Sequence, residues 1–419
     1  MNSRLIRWRG NAGRCEARVV ISGDFCPREE NCADVAARAG EITALVKPFF
    51  DASEFRIVQW ECAVTKQDTP IDKSGPNHRC YPECVAFAEA LDTDAVLLAN
   101  NHIGDYGDPG VKDTLDTFRT AGIRTAGAGM TPEEAARPLY FKAEGLEVAL
   151  LNACECEFGT AWNGSPGSNA MDPFVLAAQI KAEKAAGKHV IVALHGGHEH
   201  FPFPSPRMRS LCRFLADSGA DAVYNCHTHC ILGCEVRNGV PIVYSPGNFY
   251  FPNRPTSIPT WYLGYVPKFY FDAEGACALE LLPYFNLKQE IRPLEGELFD
   301  AFFKYFDELS APIADEALLG KIFNGWCAMN GVSMLNGLFN RPKPASLTDR
   351  EEVKKNLGLR NLYTCQAHND LIRNTLFLME RYALKEAEAE IPRIRAARDP
   401  EWLKGTAVEE AVKAAAAAQ

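Results

Sequence analysis

The chain has no long apolar run. No stretch approaches the ~20 apolar residues a membrane-spanning helix needs, so a bilayer span is not expected. The opening Met1–Gly10 carries positive charges but no apolar core, and does not read as a secretory signal. Dense basic tracts are missing too. Net charge is −10 over 419 residues, which argues against nucleic acid as an obligate partner. No Cys-x-x-Cys pair is present, which removes the usual frame of a structural zinc site. There is no internal repeat.

Cysteine itself is plentiful, at fifteen residues. Cys154 and Cys156, and Cys226 and Cys234, are close enough in sequence for a disulfide or zinc reading. A chain this long needs no staples, however. The expectation is therefore small buried thiols in a reducing, cytoplasmic setting. A 47% hydrophobic and 23% charged composition fits a globular protein with a large core.

What is present is a series of polar clusters, each closing an apolar, strand-like run. Ala17–Ser22 leads into Gly23-Asp24, and Phe55–Trp60 into Glu61. Ala95–Ala99 leads into Asn100-Asn101-His102, His189–Leu194 into His195-Gly196-Gly197-His198-Glu199, and Ala222–Cys226 into His227-Thr228-His229. Side chains at successive strand ends converge on one edge of an α/β sheet, where such folds place ligands. Carboxylates, an amide and imidazoles together suit divalent metals. Taken singly, a strand-end aspartate such as Asp24 is more often a turn former or cap, while Asn100-Asn101-His102 has an Asx-bonded turn as its lesser reading. His198, Glu199 and His200 read either as a solvated loop or as part of the site. The trio His195, His227 and His229 is harder to explain without metal, because crowded imidazoles repel when protonated and ligation keeps them neutral.

The rhythm around these clusters is βαβ. Helices are predicted over Asp108–Ala121, Ala177–Ala186 and Pro206–Ser218, each followed by a short β-like run. Glu144-Gly145, Asn238-Gly239 and Ala273-Glu274-Gly275 mark three hairpins. After about residue 286 the pattern turns helical: Leu298–Leu309, Asp315–Phe323, a capped start at Ser346–Lys355, and one long helix over Asp370–Glu390. Ala407–Gln419 reads as a fraying tail or terminal helix.

In order and spacing these motifs resemble the calcineurin-like metallophosphoesterases. Within them, the segment from Gly219-Ala220-Asp221-Ala222 through Gly239-Val240-Pro241 to Ser245-Pro246-Gly247-Asn248-Phe249 resembles the poly-γ-glutamate capsule-biosynthesis CapA family. The resemblance implies a four-layer α/β/β/α sandwich over residues 17–285, with a mainly helical appendage over 286–419. It implies two divalent ions (Mn, Fe or Zn), with Glu61 bridging, Asp24 and His229 on the first, and Asn101, His195 and His227 on the second. It further implies His102 as general acid or clamp, oriented by Asp105, beside an open cleft that Glu199 also lines. The activity implied is hydrolysis of a phosphoester or γ-glutamyl amide, on a small molecule or an anionic polymer. The alternative is a non-catalytic metal-binding accessory role in polymer synthesis. Two departures stand out. Cys26 occupies the place where the superfamily commonly has His, so one ion is expected to be held more weakly. The N-terminal anchor of membrane-attached relatives is not seen, which weighs against a direct part in capsule export.

Overall fold

The computed structural model describes residues 2–10, 16–252, 257–340 and 345–417. Two sheets form its centre. The first has the order β1 (Arg4–Arg7), β14 (Gly275–Asn286), β13 (Leu263–Asp272), β2 (Ala17–Phe25), β3 (Phe55–Trp60), β4 (Ala95–Leu97), β5 (Arg124–Ala126). Two further strands attach to it, β12 (Asn248–Tyr250) beside β2 and β15 (Ile291–Pro293) beside β14. The second sheet runs β10 (Cys234–Arg237), β11 (Val240–Val243), β9 (Ala222–Cys226), β8 (His189–His195), β7 (Leu146–Cys154), β6 (Leu139–Ala143). Strands β2, β3, β4 and β5 are parallel, as are β7, β8, β9 and β11.

Burial on both faces explains the near-continuous Val/Ile/Leu content of the parallel strands. On β8, Ile191 and Ala193 face the first sheet and join its core, while Val190, Val192 and Leu194 face the opposite way. There they meet Leu176 and Ile180 of α4 (Pro173–Ala185), and Met208, Leu211 and Leu215 of α5 (Pro206–Asp217). Helices α1 (Cys32–Thr43), α2 (Ala86–Ala90) and α3 (Gly107–Thr120) pack on the first sheet, with Phe87 against Phe25 and Phe118 against Trp60. The Tyr224 hydroxyl donates to the Ser22 carbonyl at 2.6 Å and joins the two sheets across the middle. The fold is the four-layer α/β/β/α sandwich.

All three hairpins form. Asn238 (φ 51°) and Gly239 (φ 84°) are both left-handed, as a two-residue type I′ turn demands, and Glu144 and Gly145 repeat the arrangement. Several helix boundaries differ from the sequence reading, the helix expected over Leu298–Leu309 running on to Ala314, and two of the differences have a local cause. The helix expected from Ala177 begins at Pro173, because Asp172 caps it by accepting from the amides of Phe174 and Val175 at 2.8 and 3.2 Å. The long helix expected over Asp370–Glu390 stops at Glu380, where Tyr382 turns to φ 55° before a short helix resumes at Leu384.

Beyond β15 the chain is helical, including α6 (Gly296–Ala314), α7 (Glu316–Trp326), α8 (Arg350–Thr364) and α9 (Gln366–Glu380). Phe302, Phe306, Phe323, Trp326 and Leu371 from these helices belong to the same hydrophobic core as the sheets. The tail is helical over Ala407–Ala417, and its last two residues lie outside the described ones. Among the described residues every cysteine is a free thiol, most are buried, and no helix is long and apolar enough to cross a membrane.

Candidate metal centre

All five polar clusters lie at the carboxyl ends of the parallel strands. Gly23 lets β2 pass close to the neighbouring chain: a Cβ there would sit 2.0 Å from the Gly247 carbonyl oxygen, so only glycine fits. That carbonyl accepts the Asp24 amide at 3.1 Å. Asn100 is the turn former. Its Nδ2 donates to the Trp60 carbonyl at 2.7 Å and its Oδ1 accepts the His102 amide at 2.9 Å, which presents Asn101 and His102 beyond the end of β4. Cys154, His195 and Cys226 are register partners across β7, β8 and β9. His227 (φ 103°) and His229 (φ 54°) both hold left-handed backbone. This conformation costs of order 1–3 kcal/mol per non-glycine residue and concentrates at functional sites.

These strand ends bring six donors together. His195 Nε2 is 3.0 Å from Asn101 Oδ1, 3.1 Å from His227 Nδ1 and 3.5 Å from Glu61 Oε1. His229 Nε2 is 3.6 Å from Glu61 Oε1, and its Nδ1 is 3.8 Å from Asp24 Oδ2. Asp24 also accepts the His227 amide at 3.0 Å. Potential ligand atoms gather into overlapping groups, each within 4.8 Å: Asp24–Glu61–His229, Glu61–His195–His227 and Asp24–His195–Cys226. Glu61 is shared by the first two. The His229 tautomer is set from outside. Asn248 donates its Nδ2 to the Trp261 carbonyl at 3.1 Å, so its Oδ1 faces His229 Nδ1 at 2.9 Å and leaves Nε2 free of a proton on the Glu61 side.

The donor set fits divalent metal. Asp24 and Glu61 are wholly buried, and Asp24 Oδ1 accepts no hydrogen bond among the described residues. Burial pushes the Asp24 carboxyl up to about 6. Burial, reinforced by His227 and His229, drives His195 well below the ordinary imidazole range. A buried carboxylate oxygen without a hydrogen bond, as on Asp24, and an imidazole held neutral, as at His195, are what a bound cation satisfies. Burial raises the Cys226 thiol well above its usual range, so it stays protonated beside the group.

His102 forms a second cluster. Its Nδ1 is 2.6 Å from Asp105 Oδ2, and Lys73 Nζ bonds the other Asp105 oxygen while lying 3.2 Å from the same His102 nitrogen. The His78 amide donates to Asp105 at 2.6 Å, and the His78 ring lies 4.3 Å from that of His102. Burial, then the Lys73 charge, holds His102 well below its ordinary value, and burial lifts Asp105 to about 6.

Asp24 gives a test that needs no substrate. Its folded value of about 6 lies above the 3.8 of the unfolded chain. Its contribution to stability is therefore full below about pH 4 and is lost as pH rises through 6. In chelator at pH 7, Asp24→Asn is expected to raise stability by on the order of 2 kcal/mol. The gain should fade as pH falls towards 4. With Mn²⁺ present the order should invert, because the carboxylate is then a ligand. Thermal melts at pH 4, 5.5 and 7, with and without metal, check this.

Comparison with known proteins gives the chain a family. Residues 18–253 match the family described as bacterial capsule synthesis protein PGA_cap. The chain belongs to this family. It is 32% identical over 217 residues to the PGA biosynthesis protein CapA of Bacillus subtilis (strain 168), covering 51% of this chain and 57% of that one. It is 36% identical over 215 residues to the capsule biosynthesis protein CapA of Bacillus anthracis, covering 49% and 52%. A probable polyglutamine synthesis accessory protein of Mycobacterium tuberculosis (strain ATCC 25618 / H37Rv) is 29% identical, over 47% of this chain and 55% of that one. The chain thus spans about half the length of the curated relatives it matches. Among solved structures, a 5'-nucleotidase precursor from Thermus thermophilus aligns with a TM-score of 0.43 at 12% identity, over 70% of this chain and 59% of that one.

In this PGA_cap chain the structure brings Asp24, Glu61, Asn101, His195, His227 and His229 together and seats His102 on Asp105. His102 is not at an open cleft, however. It is 6% exposed, because the loop between Val64 and Arg79 folds Lys73 and His78 over it. Glu199 is exposed, and its charge is felt at both Asp24 and His102. His198 is not solvated. It is buried, 5.1 Å from the Phe323 ring. Lys73, His78 and Gln59, whose Nε2 is 3.4 Å from His195 Nδ1, escaped the sequence reading. A lysine in a Pro- and Gly-bearing loop carries no strand-end signature.

Proposed function

We propose that the cluster is a dinuclear metal centre and that the protein is a metal-dependent hydrolase acting on a phosphoester or a γ-glutamyl amide. The observation that carries this reading is the sharing of Glu61 between two groups of imidazole and carboxylate donors. Asp24, Glu61 and His229 would hold one ion, and Glu61, Asn101, His195 and His227 the other. A bound metal pair supplies Lewis acidity and lowers the pKa of water into the neutral range.

The chain's own residues then do three things. Asn248 and Gln59 fix the His229 and His195 rings. Asp105 holds His102 by Nδ1, so the neutral ring would present its Nε2 lone pair as a base to an attacking hydroxyl and would give a proton to a leaving group only after taking one up there. Lys73 neutralises Asp105 and places positive charge beside the reacting region, which favours an anionic substrate. Glu199, at the exposed rim, is placed to meet a substrate cation such as an amine.

The accessory-protein reading is favoured by one observation, the near-complete closure over His102. Turnover of p-nitrophenyl phosphate and release of glutamate from poly-γ-glutamate, each with and without Mn²⁺, separate the two. Metal-dependent release from either supports the hydrolase. Metal binding without turnover of either supports the accessory role.

A further inference from the structure

The family match ends at residue 253, yet the back of the metal centre is built partly from α9, more than a hundred residues later. Glu155 follows β7 directly and is 2% exposed. Its amide donates to the His195 carbonyl at 3.1 Å, and its side chain lies so close to Gly196 that a Cβ there would be 2.6 Å from Glu155 Cγ. Glu155 is thus pressed against the backbone that leaves the ligand His195. One of its oxygens accepts from the Arg207 guanidinium. The other accepts the Ala367 amide at 3.1 Å, in the first turn of α9, and faces the Cys365 thiol at 3.6 Å. Burial pushes this carboxyl up, but Arg207, His227 and His198 together hold Glu155 below its ordinary value.

The same helix reaches the loop after His195. Asp370 Oδ2 is 3.6 Å from Arg207 Nε and 3.7 Å from His198 Nε2, and all three atoms are buried without another hydrogen-bond partner among the described residues. Gln366 accepts the Cys156 amide at 2.8 Å, and Asn361 donates to Glu157 at 3.2 Å. From His198 the loop continues to His200, whose amide donates to the Thr228 carbonyl at 2.8 Å, between the ligands His227 and His229. A continuous set of contacts therefore runs from α9 to three imidazoles.

We propose that α9 is a working part of the metal centre, with Asp370 and Glu155 as positioning residues that hold the loops carrying His195, His227 and His229 in ligating register. The proposal rests on the metal-centre reading above. Outer groups that orient ligands typically change metal affinity about 10–100-fold when removed.

The test is Mn²⁺ titration of the full chain with Asp370→Asn, and with Arg207→Lys as a milder break of the same bridge should Asp370→Asn fail to fold. Hydrogen–deuterium exchange at residues 196–201 is read alongside. Expected are a Mn²⁺ Kd weakened by about 10-fold or more and faster exchange at 196–201, with the distant β6–β7 hairpin unchanged. Asp370→Glu, which keeps the charge, should recover much of the affinity. Wild-type affinity in the folded variants overturns the proposal, even if exchange rises, since the contact is then structural only. Should the wild type itself bind no Mn²⁺, the metal-centre reading fails. The proposal then falls with it, whatever the exchange shows, and this outcome differs from failure of the proposal alone, in which the wild type binds Mn²⁺ and the folded variants bind it equally well.

Discussion

Replacing His227 and His229 together with alanine is expected to strip the protein of divalent metal while leaving it folded. The two residues sit beyond the end of β9 in left-handed backbone, so their side chains serve the cluster and not the sheet. His227 stands against His195 and Glu61, and His229 against Asp24 and Glu61, so the double change removes one imidazole from each donor group. The remaining donors for either ion would be mostly carboxylate or amide oxygen, far weaker for Zn²⁺ or Fe²⁺. The loss should exceed the ~10–100-fold typical of outer-shell changes. Alanine keeps a Cβ and gains nothing at the two left-handed φ angles, so some stability is lost with the rings, and a cooperative melt in chelator should show the variant still folded. Metal analysis after dialysis against a weak chelator checks this. Equal metal content in variant and wild type would count against the assignment.

The second large effect concerns His102. His102→Asn should leave metal content intact, because the ring bonds Asp105, with Lys73 beside it, and is not one of the six gathered donors. On a substrate with a poor leaving group, turnover should fall by ~10²–10⁴-fold, the usual worth of acid–base assistance. A p-nitrophenolate leaving group needs little protonation and should lose much less. Lys73→Met should fall in the same direction, since it leaves Asp105 buried at 0% exposure beside one fewer cation. Full activity of His102→Asn on a poor leaving group would transfer weight to the accessory-protein reading.

The sheets and the metal-type cluster were legible in the sequence for one physical reason. A parallel strand buried on both faces reads as a short apolar run, and a ligand group at its carboxyl end reads as an abrupt polar close. His189–His195 and Ala222–Cys226 carry both signals. Asn100 shows the limit of that reading, since it proves to be the turn former and leaves Asn101 and His102 to face the cluster. The covering of His102 was hidden because Lys73 lies in a loop whose composition reads as solvent-exposed. Its contact with Asp105 spans 32 residues that no periodicity links. The Asp370–His198 pairing was hidden for the same reason over a longer separation, and His198 in a Gly-rich stretch gave no sign of burial. The break at Tyr382 lacked the Gly or Pro that usually announces a helix end.

The most direct measurement is anomalous diffraction from crystals of the protein grown with Mn²⁺. The account predicts two peaks a few ångströms apart, one bounded by Asp24, Glu61 and His229 and the other by Glu61, Asn101, His195 and His227. No peak in this cluster at saturating Mn²⁺, or a peak that excludes Glu61, would contradict it.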